Sequence, residues 1–309
     1  MFPPAQCPRV ITPQVVGRLV RSRNPIVGGA GFLRRKVRMT GQHTHRWARA
    51  IAMVTPYRLL RVGPDIVLAR KRADPWERIY ALEELARVEF LVALLSKLDV
   101  DVLIDVGAND GHFGSKLRGH GYRGRLLSFE PAPGVYQRLA RRSAADRRWD
   151  VFRVALGDRE ERAVLNLTAA TTFNSFLKPN SLALRLFEAG TEIQGEVRVS
   201  VDRLDRILPT LLPDGDRQRV FLKIDTQGYD LNVLRGAGGQ LESIVGVQVE
   251  MAMTPLYEGA PLYNDVVEFL EARGFALIAA FPVTWNSSEP RALEYDGIFL
   301  RKATNRPRA

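Results

Sequence analysis

The chain has 309 residues, of which 46% are hydrophobic and 26% are charged, which is ordinary for a globular protein with a sizeable core. Its single cysteine, Cys7, excludes an intramolecular disulfide framework and a cysteine-rich metal site, and it favours a reducing, cytoplasmic environment. No apolar run reaches the roughly eighteen residues that a transmembrane helix needs, so none is predicted.

The net charge of +11 is distributed unevenly along the chain. Residues 1–72 hold fifteen Lys or Arg and one acid, Asp65, whereas the remainder holds 30 basic and 33 acidic residues. This asymmetry disfavours a catalytic domain that binds nucleic acid. The basic, Pro- and Gly-rich stretch is predicted to be a partly disordered extension. Its arginines are either solvated or contact an anionic membrane surface, a polyanionic partner or the rest of an oligomer.

Apolar runs alternate with helical patterns after this extension. We predict an N-terminal extension over residues 1–60, a catalytic domain over residues 61–302 and a tail over residues 303–309. Strand, helix, strand, helix, strand at short spacing indicates a βαβαβ unit with a parallel sheet. The unit comprises a strand ending at Asp105, the helix His112–His120, the strand Arg125–Glu130, the helix Pro133–Ala144 and the strand Trp149–Val154.

The other predicted elements flank this unit. Thr171–Gly190 is polar with weak regular structure, and we predict that it is a substrate loop. The remaining predictions are helices over Arg46–Leu60 (interrupted at Pro56), Trp76–Leu98 and Tyr263–Arg273, strands over 66–69, 163–167, 196–202, Val220–Asp225, Gly246–Glu250, Phe275–Ala280 and Ile298–Leu300, and a loop over Trp285–Glu294.

The segment Asp105-Val-Gly-Ala-Asn-Asp-Gly111 turns the chain after the first strand of the unit, and its glycines allow close approach of backbone to a ligand. Dinucleotide dehydrogenases present three glycines at this place, so that a diphosphate rests on the helix N-terminus. Asp105 would repel a diphosphate and suits a ligand with an ammonium group. S-Adenosylmethionine carries an ammonium group and a ribose diol but no phosphate.

Glu130 ends the next strand of the unit, where an acid can accept hydrogen bonds from both hydroxyls of a ribose. A single acid at the end of a strand is usually a solvated cap. Two such acids on neighbouring strands favour a nucleoside site.

Several motifs together resemble the FkbM-type family of S-adenosylmethionine-dependent methyltransferases, over about residues 60–302. They are the loop 105–111, Ser128-Phe-Glu-Pro131, Val154-Ala-Leu-Gly-Asp158, the run from Leu222 to Ala237 and Asp296-Gly-Ile-Phe-Leu300. The resemblance implies a Rossmann-like α/β fold of class I: a seven-stranded, mostly parallel sheet with an antiparallel last hairpin and helices on both faces. It also implies O-methylation of a hydroxyl on a saccharide, glycolipid or secondary metabolite.

The resemblance further implies roles for individual positions. Three groups of residues would contact the cofactor, at its methionine end, its ribose and its adenine. They are Asp105, Gly107, Asn109 and Gly111, with Ala108 in the same loop; Glu130, followed by Pro131; and Val154, Ala155 and Leu156.

Asp225, at the end of the fourth strand, would face the methyl donor and the acceptor hydroxyl. A base within hydrogen-bond reach helps a weakly nucleophilic hydroxyl, but Asp225 could equally orient the cofactor or cap the next helix. Lys223, two residues earlier, is predicted to form a structural ion pair with an acid. Many relatives have Glu where this chain has Gln227, and Gln cannot act as a base.

Two other functions remain open: a Rossmann-type NAD(P)-dependent oxidoreductase, against which the missing third glycine argues, and a non-catalytic module that binds the cofactor or a glycan. No metal is predicted, because His43 and His45 have no further ligands nearby in the sequence. Tyr257, Tyr263 and Trp285 fall in late loops, where they either stack on a sugar or anchor the loops by packing.

Overall fold

The computed structural model of the protein describes residues 57–62, 65–70, 75–213, 218–286, 289 and 291–302. The predicted extension up to residue 56 and the tail from residue 303 lie outside these residues, as do Cys7, His43 and His45. The chain divides into two compact units, Met1–Val88 and Glu89–Ala309. The predicted domain limits at residues 60 and 302 stay predictions.

The described part of the first unit begins with an antiparallel pair of strands, β1 (Tyr57–Val62) and β2 (Asp65–Arg70). The strand predicted at 66–69 is therefore confirmed. The helix predicted over Arg46–Leu60 is wrong in its described part, because the backbone from residue 57 onward pairs with β2. A Gly-Pro turn signal at residues 63–64 separates two short runs of strand-forming residues, which explains the hairpin.

A long helix, α1 (Pro75–Lys97), confirms the helix predicted over Trp76–Leu98. The elements that follow are β3 (Val102–Val106), α2 (His112–Gly119), β4 (Arg125–Phe129), α3 (Pro133–Ser143), β5 (Trp149–Phe152), β6 (Ala155–Leu156), β7 (Glu161–Thr168), α4 (Ser181–Phe187), β8 (Ile193–Asp202), α5 (Leu204–Leu211), β9 (Val220–Ile224), α6 (Asp230–Gly236), β10 (Ile244–Ala252), α7 (Tyr263–Glu271), β11 (Phe275–Asn286) and β12 (Arg291–Arg301). No helix of the described residues is long and apolar enough to cross a membrane.

Seven strands form the main sheet, in the order β11-β12-β10-β9-β3-β4-β5. The five strands from β10 to β5 run parallel, and β12 is antiparallel to both β10 and β11. This is the predicted mostly parallel sheet with an antiparallel last hairpin. The strand order reverses direction between β3 and β9, and open α/β sheets bind ligands at such a switch point.

Both faces of the sheet are covered by helices, as predicted. On β3, Val102 and Ile104 belong to one buried cluster with α5, α6 and α7, whereas Leu103 belongs to the other with Leu91, Leu95 and helices α2 and α3. Successive strand residues point to opposite faces, so the unbroken apolar run in β3 can fill both cores.

A smaller sheet of order β6-β8-β7 stands beside the main sheet. The strand predicted over Trp149–Val154 ends earlier, at Phe152. The chain turns away from the main sheet there, and Ala155 and Leu156 pair with β8 of the smaller sheet. The strands predicted at 163–167 and 196–202 are confirmed as β7 and β8. The segment between them is more regular than expected, because Asn180 accepts hydrogen bonds from the backbone N–H groups of Leu182 and Ala183 and so caps α4.

The last hairpin is longer than the sequence predicts. Trp285–Glu294 was expected to be a loop, but β11 extends to Asn286 and β12 starts at Arg291. Thr284 pairs with Glu294 and Trp285 with Ala292, with register shifts on either side of Thr284. Irregular pairing of this kind accommodates a proline such as Pro282 within a strand at the edge of a sheet.

Candidate active site

A pocket with about 760 Å³ of atom-free space, partly open to solvent, lies beyond the carboxyl ends of β3, β4 and β9. Loops that follow parallel strands converge at this edge, which makes it the expected ligand site of the fold. The pocket is lined by Val106, Gly107, Asn109, Phe129, Glu130, Pro131, Val154, Ala155, Leu156, Leu165, Thr171, Thr172, Asn174, Ser175, Phe176, Asp225, Thr226 and Gln227.

Gly107 brings two strand ends into backbone contact. Its φ is +75°, and a Cβ atom at this position would collide with the carbonyl oxygen of Asp225. The N–H groups of Gly107 and Ala108 both donate to the carbonyl of Phe129, at 3.1 and 3.0 Å. Glycine is therefore required by the positive φ and by the close approach of the β9 end.

The Glu130 carboxylate is held in place by backbone groups. Its Oε2 accepts a hydrogen bond from Asn109 N at 3.0 Å, and its Oε1 accepts one from Ala132 N at 2.8 Å. Asn109 has a φ of +46°, and its Oδ1 accepts a hydrogen bond from Thr171 Oγ1 at 3.2 Å. The loop after β3 and the segment after β7 thus fix the orientation of one carboxylate at the pocket wall.

Burial raises the pKa of Glu130 to about 7, although the backbone N–H groups of Ala132 and Asn109 oppose the rise. The Asp105 charge raises the pKa further, and the Lys223 charge lowers it. Glu130 is only 6% exposed. Hydroxyl donors supplied by a ligand would stabilise the charged form of this poorly solvated carboxylate.

Asp105 lies beneath the pocket and not on its wall. It is fully buried, and its Oδ1 is 3.0 Å from Lys223 Nζ. Its Oδ2 accepts a hydrogen bond from Ser128 Oγ at 3.2 Å, and Ser128 Oγ accepts one from Trp149 Nε1 at 3.0 Å. The expected contact of Asp105 with the methionine end stays a prediction; in the structure this carboxylate is paired with a lysine on the neighbouring strand.

Lys223 joins the two strand-end acids. Its Nζ is also 3.5 Å from Asp225 Oδ2 and 4.9 Å from the centre of the Phe113 ring. Burial by itself lowers the pKa of Lys223, but the charges of Asp105 and Asp225 outweigh burial, so its pKa lies above the usual value. The predicted structural ion pair of Lys223 is confirmed, with Asp105 as its nearer partner.

Two further residues of the loop after β3 also do not line the pocket. Gly111 precedes α2 with a φ of +82°, and a Cβ there would press on Leu139 and the Trp149 ring. Ala108 is 4% exposed and packs in the core. The other residues assigned to the cofactor or acceptor line the pocket together: Gly107, Asn109, Glu130, Pro131, Val154, Ala155, Leu156 and Asp225.

One end of the pocket is apolar. Val154 follows β5, Ala155 and Leu156 form β6, and Leu165 comes from β7. With Phe129 they form a wall that is suited to a planar aromatic ring. The smaller sheet therefore supplies much of this wall.

Thr171, Ser175 and Phe176 line this pocket but carry no individual signal in the sequence. The segment 171–190 is predicted as a substrate loop, and its residues 171–176 lie in the same pocket as Glu130. Ser175 Oγ donates to the carbonyl of Gln227 at 2.7 Å. The polar composition of the segment was the one available signal, and no spacing rule indicates which strand end it reaches.

Asp225 and Gln227 form the opposite end of the pocket. The side chain of Asp225 is 37% exposed. Gln227 Nε2 donates to Asp225 Oδ1 at 2.9 Å and to Glu250 Oε2 at 3.0 Å. Tyr257 is 2% exposed, and its hydroxyl donates to Gln227 Oε1 at 2.8 Å. Its burial excludes the sugar-stacking interpretation and supports the anchoring one.

Three acids lie behind Gln227: Asp230 and Glu294, which are buried, and Glu250, which is half-buried. Burial raises the pKa of Asp230 to about 6, and it raises the pKa values of Glu250 and Glu294, which also repel each other. Asp230 accepts hydrogen bonds from the N–H groups of Thr226 and Gly228, so it holds the turn after β9. Within the described residues, no group of three or more His, Cys, Asp or Glu side chains could hold a metal ion.

The strand order of the main sheet, with its antiparallel last hairpin, is that of the class I methyltransferase fold. The pocket at its strand ends combines a carboxylate, Glu130, with an apolar wall, as a nucleoside site requires. Comparison with known proteins then identifies the family, since the FkbM methyltransferase domain matches residues 105–277, more than half of the chain. The chain therefore belongs to the FkbM methyltransferase family and is an S-adenosylmethionine-dependent methyltransferase.

Two individual relatives are similar to this chain at less than 30% identity. The chain is 29% identical over 194 residues to methyltransferase sdnD of Sordaria araneosa, across 56% of this chain and 73% of that protein. It is 24% identical over 198 residues to the 2-O-methyltransferase NoeI of Sinorhizobium fredii (strain NBRC 101917 / NGR234), across 62% of this chain and 79% of that protein. The solved structure of magnesium protoporphyrin IX methyltransferase (ChlM) from Synechocystis PCC 6803 with bound SAM is similar at a TM-score of 0.40 and 10% identity, covering 84% of this chain and 92% of that one.

Proposed function

We propose that the protein is an O-methyltransferase that acts on a hydroxyl of a saccharide, glycolipid or secondary metabolite. The observation that carries the proposal is the placement of Asp225, a partly exposed carboxylate on the wall of the pocket that also contains Glu130. Asp230 and Glu294 are buried, and the half-buried Glu250 does not line this pocket, so Asp225 is the partly exposed carboxylate that an acceptor there can reach. The relative NoeI is named a 2-O-methyltransferase, which supports transfer to oxygen.

The pocket suits S-adenosylmethionine in one orientation. Glu130 would accept hydrogen bonds from the ribose hydroxyls, and the apolar wall at Val154–Leu156 would hold the adenine. The methionine end would then lie along Gly107 and Asn109. Because Gly107 touches the backbone of Asp225, this orientation brings the reacting end of the cofactor close to Asp225.

In the proposed reaction the cofactor supplies an electrophilic methyl group. The acceptor oxygen forms a bond to the methyl carbon, the carbon–sulfur bond breaks, and S-adenosylhomocysteine is released. Asp225 binds the acceptor hydroxyl and takes up its proton as the new bond forms. Alignment of the hydroxyl with the methyl group supplies a further part of the rate.

For the basic N-terminal extension, the sequence alone suggests what it contacts. The basic residues of the extension 1–60 would suit an anionic lipid surface or a second copy of the chain, and a glycolipid acceptor would be met at such a surface. The cytoplasmic location stays a prediction.

The test is transfer of a labelled methyl group from S-adenosylmethionine to a panel of saccharides, glycolipids and polyhydroxylated metabolites. We expect labelled product and S-adenosylhomocysteine in equal amounts, with mass spectrometry locating the methyl group on oxygen. A methyl group on nitrogen or carbon would contradict the proposal. Cofactor binding without transfer to any acceptor would favour a non-catalytic module.

The role of Asp225 is tested by Asp225→Asn, for which we expect turnover to fall by about 100-fold or more while cofactor affinity stays close to that of the wild type. Glu196→Gln, on the exposed part of β8, serves as a surface control and should not change either quantity. Full turnover by Asp225→Asn would exclude the base role.

A further inference from the structure

Gln227 stands out because it occupies a position with unfavourable backbone geometry. Its φ is +56°, in the left-handed region that side chains other than those of Gly, Asn and Asp rarely adopt. The turn is held there from both sides, since Asp230 accepts hydrogen bonds from Thr226 N at 2.9 Å and Gly228 N at 3.0 Å. Non-glycine residues held in this region often serve a functional site.

The amide of Gln227 is fully used. Both protons of its Nε2 are donated to carboxylates, one to Asp225 and one to Glu250, while its Oε1 accepts the Tyr257 hydroxyl. Tyr257 can only orient the amide in this way as a donor. Burial raises the pKa of Tyr257 above its usual value, so the hydroxyl keeps its proton. The hydrogen bond from Tyr257 therefore fixes the oxygen end of the amide, so that the NH2 end faces the two acids.

The two acids on either side of this amide differ in their surroundings. Glu250 is half-buried and lies outside the pocket, and desolvation raises its pKa well above the usual value. Asp225 is partly exposed on the pocket wall, with Oδ1 bound by Gln227 and Oδ2 3.5 Å from Lys223 Nζ. Each oxygen of the Asp225 carboxylate thus has one defined donor, and Gln227 is the closer of the two.

We propose that Gln227 is a positioning residue: oriented by Tyr257, its amide holds the Asp225 carboxylate in the direction from which it meets the acceptor hydroxyl. This inference rests on the proposed role of Asp225. It gives the position a function that a glutamate could not supply in the same form, because a glutamate side chain has no N–H to donate to Asp225 and Glu250 together.

Sinefungin offers a test that needs no acceptor. In this analogue of S-adenosylmethionine a carbon bearing a primary amine replaces the methylated sulfur, so its ammonium group would point to where the acceptor hydroxyl lies. S-Adenosylhomocysteine has no group at that position. The ratio of the two dissociation constants, measured by titration calorimetry, therefore reports the placement of the Asp225 carboxylate.

For the wild type we expect sinefungin to bind about tenfold or more tightly than S-adenosylhomocysteine, and Asp225→Asn should remove this preference. Gln227→Met has a similar volume and lacks all three hydrogen bonds, and Tyr257→Phe lacks the one that orients the amide. In both we expect the preference to fall to about a third or less, because the carboxylate is no longer preorganised. The affinity for S-adenosylhomocysteine should stay within about twofold of the wild-type value.

Gln194→Met, the matched control, changes an exposed glutamine on β8 and should keep the wild-type ratio. If Gln227→Met does not fold, as judged by circular dichroism, Tyr257→Phe alone decides the matter. A full preference in Gln227→Met and Tyr257→Phe, with the preference lost in Asp225→Asn, would overturn the role of Gln227 alone. No preference in the wild type and no effect of Asp225→Asn would overturn the role of Asp225 as well.

Discussion

The two ends of the pocket are built by different means. At the β3–β4 end, the Glu130 carboxylate is held by backbone N–H groups, those of Asn109 and Ala132. At the β9–β10 end, side chains from three separate segments meet, namely those of Asp225, Gln227, Glu250 and Tyr257. Backbone donors are present whatever the side chain, whereas the side-chain contacts of the β9–β10 end are lost when one of their residues is substituted.

The link between the two ends is the buried ion pair, and its removal should have the largest effect. Lys223→Met leaves Asp105 fully buried without a cation, so we expect the free energy of unfolding to fall by about 3–5 kcal/mol. Urea denaturation measures this loss. The double variant Asp105→Asn/Lys223→Met removes both charges and should regain most of it. A loss below about 1 kcal/mol in Lys223→Met would show that the two ends do not depend on the pair.

The backbone contact between the ends is tested by Gly107→Ala. The positive φ and the collision of the new Cβ with the Asp225 carbonyl should lower the free energy of unfolding by about 2 kcal/mol or more. Gly119→Ala is the matched control, because a Cβ there meets nothing within 4 Å, and the helical alanine should be neutral or stabilising. Equal effects of the two substitutions would show that the strand ends can separate at no cost.

The cofactor end is tested by Glu130→Gln, with the same surface control, Glu196→Gln. The amide cannot accept both the Asn109 and Ala132 N–H groups as the carboxylate does, and it loses the charge that would bind the ribose hydroxyls. We expect S-adenosylmethionine to bind about 10- to 100-fold more weakly, as measured by calorimetry. Unchanged affinity would mean that the ribose lies elsewhere.

The smallest expected effect is a pH dependence of cofactor affinity. With its pKa raised to about 7, the Glu130 side chain is protonated below that pH in the free protein, and ribose binding favours the charged form. The affinity should therefore fall as the pH decreases below about 7, by up to about tenfold per pH unit, and level off above it. Glu130→Gln should flatten this difference between pH 5.5 and 7.5. A variant with the wild-type slope would assign the titration to another group.

Most of the fold followed from the sequence, because the apolar runs of β3, β4, β9 and β10 and the turns after them are local signals. The sequence could not show that Ala155 and Leu156 leave β5 for β8, since a two-residue pairing has no periodicity of its own. It also could not show that β11 and β12 continue toward their turn, because Pro282 and the Ser-Ser pair at 287–288 are typical of loops.

The candidate site was predicted only in part, because acids at strand ends are local signals whereas contacts between distant side chains are not. Strand-end acids together with the family resemblance predicted Glu130 and Asp225 as site residues, and both line one pocket. Asp105 was expected on that pocket as well, but the register of β3 against β9 puts Lys223 directly beside it and buries the pair. Tyr257 and Gln227 are 30 residues apart, and no sequence rule brings them into contact.

The segment between β7 and β8 has a consequence for engineering the enzyme. It leaves and rejoins the smaller sheet at neighbouring points, since Thr168 pairs with Ile193, and it touches the cofactor end through Thr171 and the acceptor end through Ser175. Its residues 177–190 also pack against the loop after β10: Asn180 N donates to the carbonyl of Leu256 at 2.9 Å, and Ala183 shares a buried cluster with Tyr257 and Leu293. Chimaeras that exchange residues 177–190 between relatives therefore need to keep Asn180 and Ala183, which contact the loop that carries Tyr257.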